Sequence, residues 1–107
     1  MEIAKLESNK SSKDQKLGCV IAKRGRFISK GFNSNKTHPR FGSGYFMRLH
    51  SEGAAIWDAF KAGRLNNIEG ATAYIYRKNG LLAAPCSGCQ GLLKQYGVKT
   101  VIYTKGN

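Results

Sequence analysis

The sequence predicts an α/β fold in which a β-hairpin is followed by helix–strand–helix–strand, a three-layer arrangement. Two observations carry this. Short β-favouring runs recur at Leu17–Ala22, Phe27–Phe32, Ala71–Arg77 and Lys99–Thr104. Two stretches between them, 51–62 and 86–96, read as helices and are closed by glycine.

Ile3, Ala4 and Leu6 lie in a mixed-charge opening that can form a short helix, and Ser8–Lys16 reads as a turn or loop. LGCVIA (Leu17–Ala22) is apolar enough for a buried strand. KRGR places Gly25 where a hairpin turns, and FISKGF (Phe27–Phe32) alternates as the partner strand. From Asn33 to Leu49 the chain carries Pro39, two glycines and many polar groups, so it reads as a long surface loop; such loops in small domains are functional or disordered. Ala55, Ile56, Ala59 and Phe60 fall at helical spacing before Gly63. Ala71–Arg77 is rich in β-formers, and Asn79-Gly80 marks a turn. Pro85 opens the second helix, Gly97 closes it, and Lys99–Thr104 is the last strand. Strands separated by a helix pair in parallel with a right-handed crossover.

The 107 residues, 41% hydrophobic, support a single domain over 1–107, with 1–16 as an N-terminal segment and 33–49 as a loop at the site. No apolar run approaches the ~20 residues of a membrane span. Charges in MEIAKLESNK occupy the place of a signal peptide's apolar core, so a reducing cytoplasm is expected and no membrane partner. Three cysteines suit metal or thiol chemistry better than a disulfide framework.

The formal charge is +12, and its placement is uneven. Residues 1–16 are nearly balanced, whereas beyond them only Glu52, Asp58 and Glu69 are acidic against fourteen bases. Such a surface attracts phosphate, on a nucleotide or along a nucleic acid; the plainer alternative is a solvated basic face.

Three candidate zinc ligands stand at two helix starts: His50 before one, Cys86 and Cys89 in the first turn of the other. Cysteines three apart share a helix face, and three protein ligands leave the fourth tetrahedral position open for water. Glu52, two residues after His50, is directed toward that position, where a carboxylate can take a proton from zinc-bound water. A redox C-x-x-C would explain neither His50 nor Glu52. A four-ligand structural site would need Cys19 or His38, and Cys19 sits in an apolar run suited to the core. His50 alone could simply cap its helix.

His50-Ser51-Glu52 followed by Pro85-Cys86-Ser87-Gly88-Cys89 matches the H-x-E…P-C-x-x-C signature of zinc nucleobase deaminases. With GFNSNKTHP (Gly31–Pro39), ATAYIYR (Ala71–Arg77) and GVKTVIYT (Gly97–Thr104), the chain resembles the cytidine and deoxycytidylate deaminase superfamily. More narrowly, it resembles the small deoxycytidylate-deaminase-like proteins often encoded by bacteriophages.

The resemblance implies an α/β/α cytidine-deaminase-like fold with a mixed sheet. It also implies one zinc per chain on His50, Cys86 and Cys89, Glu52 as proton shuttle, and a host cytoplasm. The Ser51 backbone N–H would contact the pyrimidine carbonyl, the Ala84 carbonyl the amino group, and Asn33 the sugar hydroxyl. The implied reaction is dCMP to dUMP, with zinc-bound hydroxide attacking the ring carbon. Lys36, His38 and Arg40 are candidates for holding the phosphate, and Phe41, Tyr45 and Phe46 for stacking or lid contacts. The alternatives are a deaminase of cytosine or adenine in single-stranded DNA or RNA and a catalytically inactive zinc-containing nucleotide-binding protein. The +12 charge admits nucleic acid as a partner beside the small-molecule nucleotide, and the resemblance implies a homo-oligomer.

Overall fold

The computed structural model describes residues 2–10, 16–33, 50–78, 82–85 and 87–106. Its elements are α1 (Glu2–Ser8), β1 (Leu17–Lys23), β2 (Arg26–Phe32), α2 (Ser51–Lys61), a 3₁₀ turn (Leu65–Ile68), β3 (Thr72–Arg77), α3 (Ser87–Gln95) and β4 (Thr100–Tyr103). The strands form one sheet in the order β2-β1-β3-β4. β1 runs antiparallel to both neighbours, while β3 and β4 are parallel, so the sheet is mixed, in agreement with the sequence. The loop expected at 33–49, apart from Asn33, and the Asn79-Gly80 turn lie outside the described residues.

The hairpin turns at Arg24 and Gly25, whose φ angles of 52° and 77° are both positive. This is the type I′ geometry whose twist matches that of the flanking strands. A register shift between Ile21 and Ala22 leaves Ile28 between paired residues, so Ile28 and Ser29 are both buried.

Alternation along the strands separates two faces. Cys19, Ile21, Ala73 and Ile75 share one face and form a core with Ala55, Ile56, Ala59, Leu92 and Leu93 from α2 and α3. The backbone of α2 sits against Gly31 so closely that a Cβ there would overlap Ala54 and Ala55. On the opposite face α1 leans on Gly18, where a Cβ would overlap the carbonyl oxygen of Ala4 and the backbone of Ser8. Helices thus cover both faces, and the layer order is α/β/α.

One boundary differs from the sequence reading, and two packing details go beyond it. Ser8 belongs to α1 rather than to a loop, because its Oγ donates to the Lys5 carbonyl at 2.6 Å and extends the last turn. Ile3 and Leu6 are 47% and 63% exposed, since the close approach at Gly18 admits only Ala4 of the three apolar residues. Phe60 is also largely exposed, and Ala55, Ile56 and Ala59 carry the apolar stripe of α2 without it.

The outer edge of β2 is closed by side chains from the α2 region. The Lys30 N–H donates to Asp58 Oδ2 at 3.1 Å, and Arg64 Nη1 donates to the Ile28 carbonyl at 3.1 Å. These bonds fix the pitch of α2 along the sheet. Its first residues stand beside the end of β2, and its last beside the hairpin turn.

Candidate active site

Topology gathers the candidate residues at one end of the sheet. The start of β1, the ends of β2 and β3, and the starts of α2 and α3 all meet there, the usual place for a site in an α/β sheet.

His50 is the N-cap of α2, with extended backbone and no side-chain cap hydrogen bond; its carbonyl accepts from the Ala54 N–H at 2.8 Å. The imidazole is directed elsewhere. Its Nδ1 lies 3.2 Å from Sγ of Cys89, a residue thirty-nine positions later. Capping therefore does not account for His50. Cys89 is fully buried beneath the first turn of α3, and Gln90 Nε2 donates to the Pro85 carbonyl at 3.0 Å, tying that turn to the segment before it.

Glu52 is 4% exposed, and its Oε1 accepts a 2.6 Å hydrogen bond from Ser51 Oγ, which is itself buried. A carboxylate so buried is rare without a partner, and here the neighbouring hydroxyl supplies one. Cys19 lies in the core at 0% exposure, as the sequence suggested. Burial first, and the Glu52 charge second, push its thiol well above the ordinary cysteine value. A neutral buried thiol is a poor metal ligand, because ligation needs the thiolate.

Asn33 is buried after β2, and its Oδ1 accepts the Leu17 N–H at 3.0 Å, clasping β2 to the start of β1. Ala84 is exposed, and the stretch that carries it is fixed by the Ala83 N–H donating to the Thr104 carbonyl at 2.8 Å. Cys86, Lys36, His38 and Arg40 lie outside the described residues.

Among the described residues no group of three or more His, Cys, Asp or Glu side chains could hold a metal. The predicted third ligand, Cys86, is not among them. The pair that is described fits zinc. Bond lengths of about 2.0–2.1 Å to nitrogen and about 2.3 Å to sulfur put two tetrahedral ligands about 3.6 Å apart, and the observed separation is a few tenths shorter.

Two contributions escaped the sequence reading. The Ser51 hydroxyl supports Glu52, where the sequence suggested a role for the Ser51 backbone N–H only; a serine beside an acid at a helix start was the available signal. Gly31 seats the helix that carries both, and no local pattern marks it.

The sequence profile of the cytidine and deoxycytidylate deaminase zinc-binding region matches residues 1–105. No curated protein sequence matches. Among solved structures, dCMP deaminase from the cyanophage S-TIM5 is 27% identical with a TM-score of 0.70, covering 95% of this chain and 76% of its own. That phage enzyme has also been solved in complex with dCMP and dUMP. A diaminohydroxyphosphoribosylaminopyrimidine deaminase/reductase from Thermotoga maritima is 29% identical with a TM-score of 0.59, covering 95% of this chain and 26% of that one. Cytidine deaminase from Burkholderia pseudomallei shares the fold at 20% identity and a TM-score of 0.72, covering 99% of this chain and 84% of that one. Among the described residues no helix is long and apolar enough to cross a membrane. The chain therefore belongs to the cytidine and deoxycytidylate deaminase family and is a zinc-dependent deaminase.

Proposed function

We propose that the chain hydrolyses the amino group of a cytosine nucleotide, dCMP before others, giving dUMP and ammonia. His50, Cys86 and Cys89 would hold one zinc ion, and Glu52 would move the protons. The observation that carries this reading is the 3.2 Å approach of His50 Nδ1 to Cys89 Sγ, at the helix start that also buries Glu52. When bound, zinc supplies the Lewis acidity that lowers the pKa of the attacking water to about 7.

The protein's own residues do the rest. Glu52 takes a proton from the water and delivers it to N3 of the ring as C4 becomes tetrahedral. It then takes the remaining proton from the hydroxyl added at C4 and passes it to the amino group, which leaves as ammonia while the C4 carbonyl forms. The Ser51 hydroxyl holds Oε1 of Glu52, so the carboxylate works from one position. The Ser51 backbone N–H stands in the first turn of α2, where helical geometry leaves it no partner in the helix, and it would hold the pyrimidine carbonyl oxygen. The Ala84 carbonyl would accept from the amino group, and Asn33 would contact the sugar. Lys36, His38 and Arg40 would hold the single phosphate, an assignment that rests on the acid-free sequence around them. The phage relative's complex with dCMP and dUMP supports this substrate. Homo-oligomerisation and a cytoplasmic setting belong to the same proposal.

The test is ammonia release by the zinc-loaded protein from dCMP, CMP, cytidine, deoxycytidine, adenine and guanine compounds and single-stranded oligomers. dCMP is expected to give the highest kcat/KM, and a purine or an oligomer in first place would overturn the assignment. Glu52→Gln should keep fold and zinc while turnover falls about 10²–10⁴-fold, the usual contribution of a positioned acid–base group. Near-normal turnover in that variant would remove Glu52 from the role.

A further inference from the structure

The opposite end of α2, about 16 Å from His50 at 1.5 Å per residue, carries a feature that deamination does not use. There the hairpin and the 3₁₀ turn form the walls of a groove of about 680 Å³, lined by Lys23, Arg24, Arg26, Phe27, Arg64 and Asn67, with no carboxylate in its lining. None of its four cations takes part in an ion pair among the described residues; the pairs present join Glu7 to Lys10 and Lys30. Glu69, the acid nearest in sequence to the groove wall, packs its side chain against Gly97.

Three details distinguish this groove from an ordinary solvated basic face. Arg64 is anchored, its Nη1 bonded to the Ile28 carbonyl, so one guanidinium is held at the wall. Arg24 occupies a left-handed backbone position (φ 52°) where glycine or asparagine is the unstrained choice, so the turn keeps a cation against its conformational preference. Phe27 leaves 45% of its surface exposed beside these charges. Positive charge also continues past the rim. Lys61 stands at the end of α2, and Lys99 is bonded through its backbone N–H to the Ala71 carbonyl at the same end of the sheet.

We propose that this groove binds single-stranded nucleic acid, with successive phosphates on Lys23, Arg24, Arg26 and Arg64 and an unpaired base stacked on Phe27. Four cations around one groove with no carboxylate suit a backbone of several phosphates, and an exposed ring beside them suits the face of an unstacked base, which a duplex withholds. The inference does not depend on the identity of the deamination substrate, because groove and candidate active site lie at opposite ends of α2.

The test uses a fluorescein-labelled 15-nucleotide oligo-dT, which contains no cytosine, followed by anisotropy from low to moderate salt. The full-length protein should bind it, with log K falling against log salt at a slope of about −2 to −3, since each phosphate contact on a single strand contributes about −0.7. Arg24→Gly with Arg26→Ser removes two charges and suits the left-handed backbone. It should weaken binding at least tenfold and flatten the slope, while dCMP turnover is unchanged. Phe27→Ala should weaken binding with the slope retained. Four results would overturn the proposal: no binding at low salt, equal binding by the double variant, equal affinity for a duplex of the same length, or full displacement of the strand by a free nucleoside triphosphate at matched phosphate concentration.

Discussion

Both faces of the sheet are closed by a helix resting on a glycine, yet only one of those contacts holds candidate catalytic groups in place. On the first face α2 lies on Gly31, is stitched to the edge strand through Asp58 and Arg64, and carries Ser51 and Glu52 directly after His50. On the second, the seven residues of α1 lie on Gly18, send Glu7 toward Lys30, and leave Ile3 and Leu6 in solvent. No candidate site residue belongs to α1. Close backbone packing is thus common to both faces, while the side-chain bonds that fix a helix along its length serve the face that needs a defined helix start.

The sharpest way to break this contrast is to add one methyl group on each face. Gly31→Ala places a Cβ inside the backbone of Ala54 and Ala55, so α2 must move. A loss of about 1–3 kcal/mol is expected from overpacking. Turnover of the remaining folded protein should fall about 10²-fold, because a shift near 1 Å misplaces the reacting groups. Gly18→Ala should cost a similar amount of stability through α1 while kcat stays near wild type. Urea denaturation alongside activity per folded molecule reads both. If Gly18→Ala lowers kcat as far as Gly31→Ala does, the faces are mechanically coupled and the contrast fails.

What the sequence revealed and what it hid follow the same division. The hairpin, the two helices and their glycine ends are local, so spacing and turn residues sufficed: Gly25, Gly63 and Gly97 all sit at positive φ where a turn or helix stop was expected. His50, Glu52 and Cys89 were legible because their chemistry is tied to fixed offsets within two short motifs. The remainder depends on contacts between distant segments. Nothing near Gly31 shows that a helix twenty-odd residues later will press on it, and nothing in the α1 sequence shows that Ala4 rather than Leu6 will face inward. Asn33 was read as a substrate contact; that its side-chain carbonyl oxygen also accepts the Leu17 N–H is visible only once β1 and β2 are adjacent.

A smaller effect is expected at Ser51. Its hydroxyl gives the buried Glu52 a 2.6 Å hydrogen bond, and a bond to a charged group contributes about 1.5–3 kcal/mol. Ser51→Ala should therefore lower kcat roughly tenfold or more and cost about 1–3 kcal/mol of stability, while zinc content stays close to wild type. Ser51→Thr, which keeps the hydroxyl, should recover much of the loss. Full activity in the alanine variant would show that Glu52 is held by its surroundings alone, and would weaken the claim that this face is set by specific side-chain bonds.

The smallest effect tests whether Cys19 belongs to the core beneath Glu52. Burial, and then the Glu52 charge, raise the thiol, so the folded protein retains a proton that the unfolded chain releases near pH 8.5. Above that pH the unfolded state binds fewer protons than the native one, and stability falls as pH rises from the unfolded value toward the folded one. Cys19→Ala removes this titration and should cost about 1 kcal/mol near neutrality through the small void it leaves. The deficit should close and then reverse between about pH 8 and about pH 10, because only the wild type loses stability through this group over that range, by about 2 kcal/mol at the upper end. Urea midpoints of the two proteins at matched pH isolate the effect, since every other titrating group cancels in the difference. A deficit that stays constant would mean that the thiol ionises alike in the folded and unfolded chains. Cys19 would then sit in a wetter place than the core of the α2 face, and the dry layer beneath Glu52 would have to be redrawn.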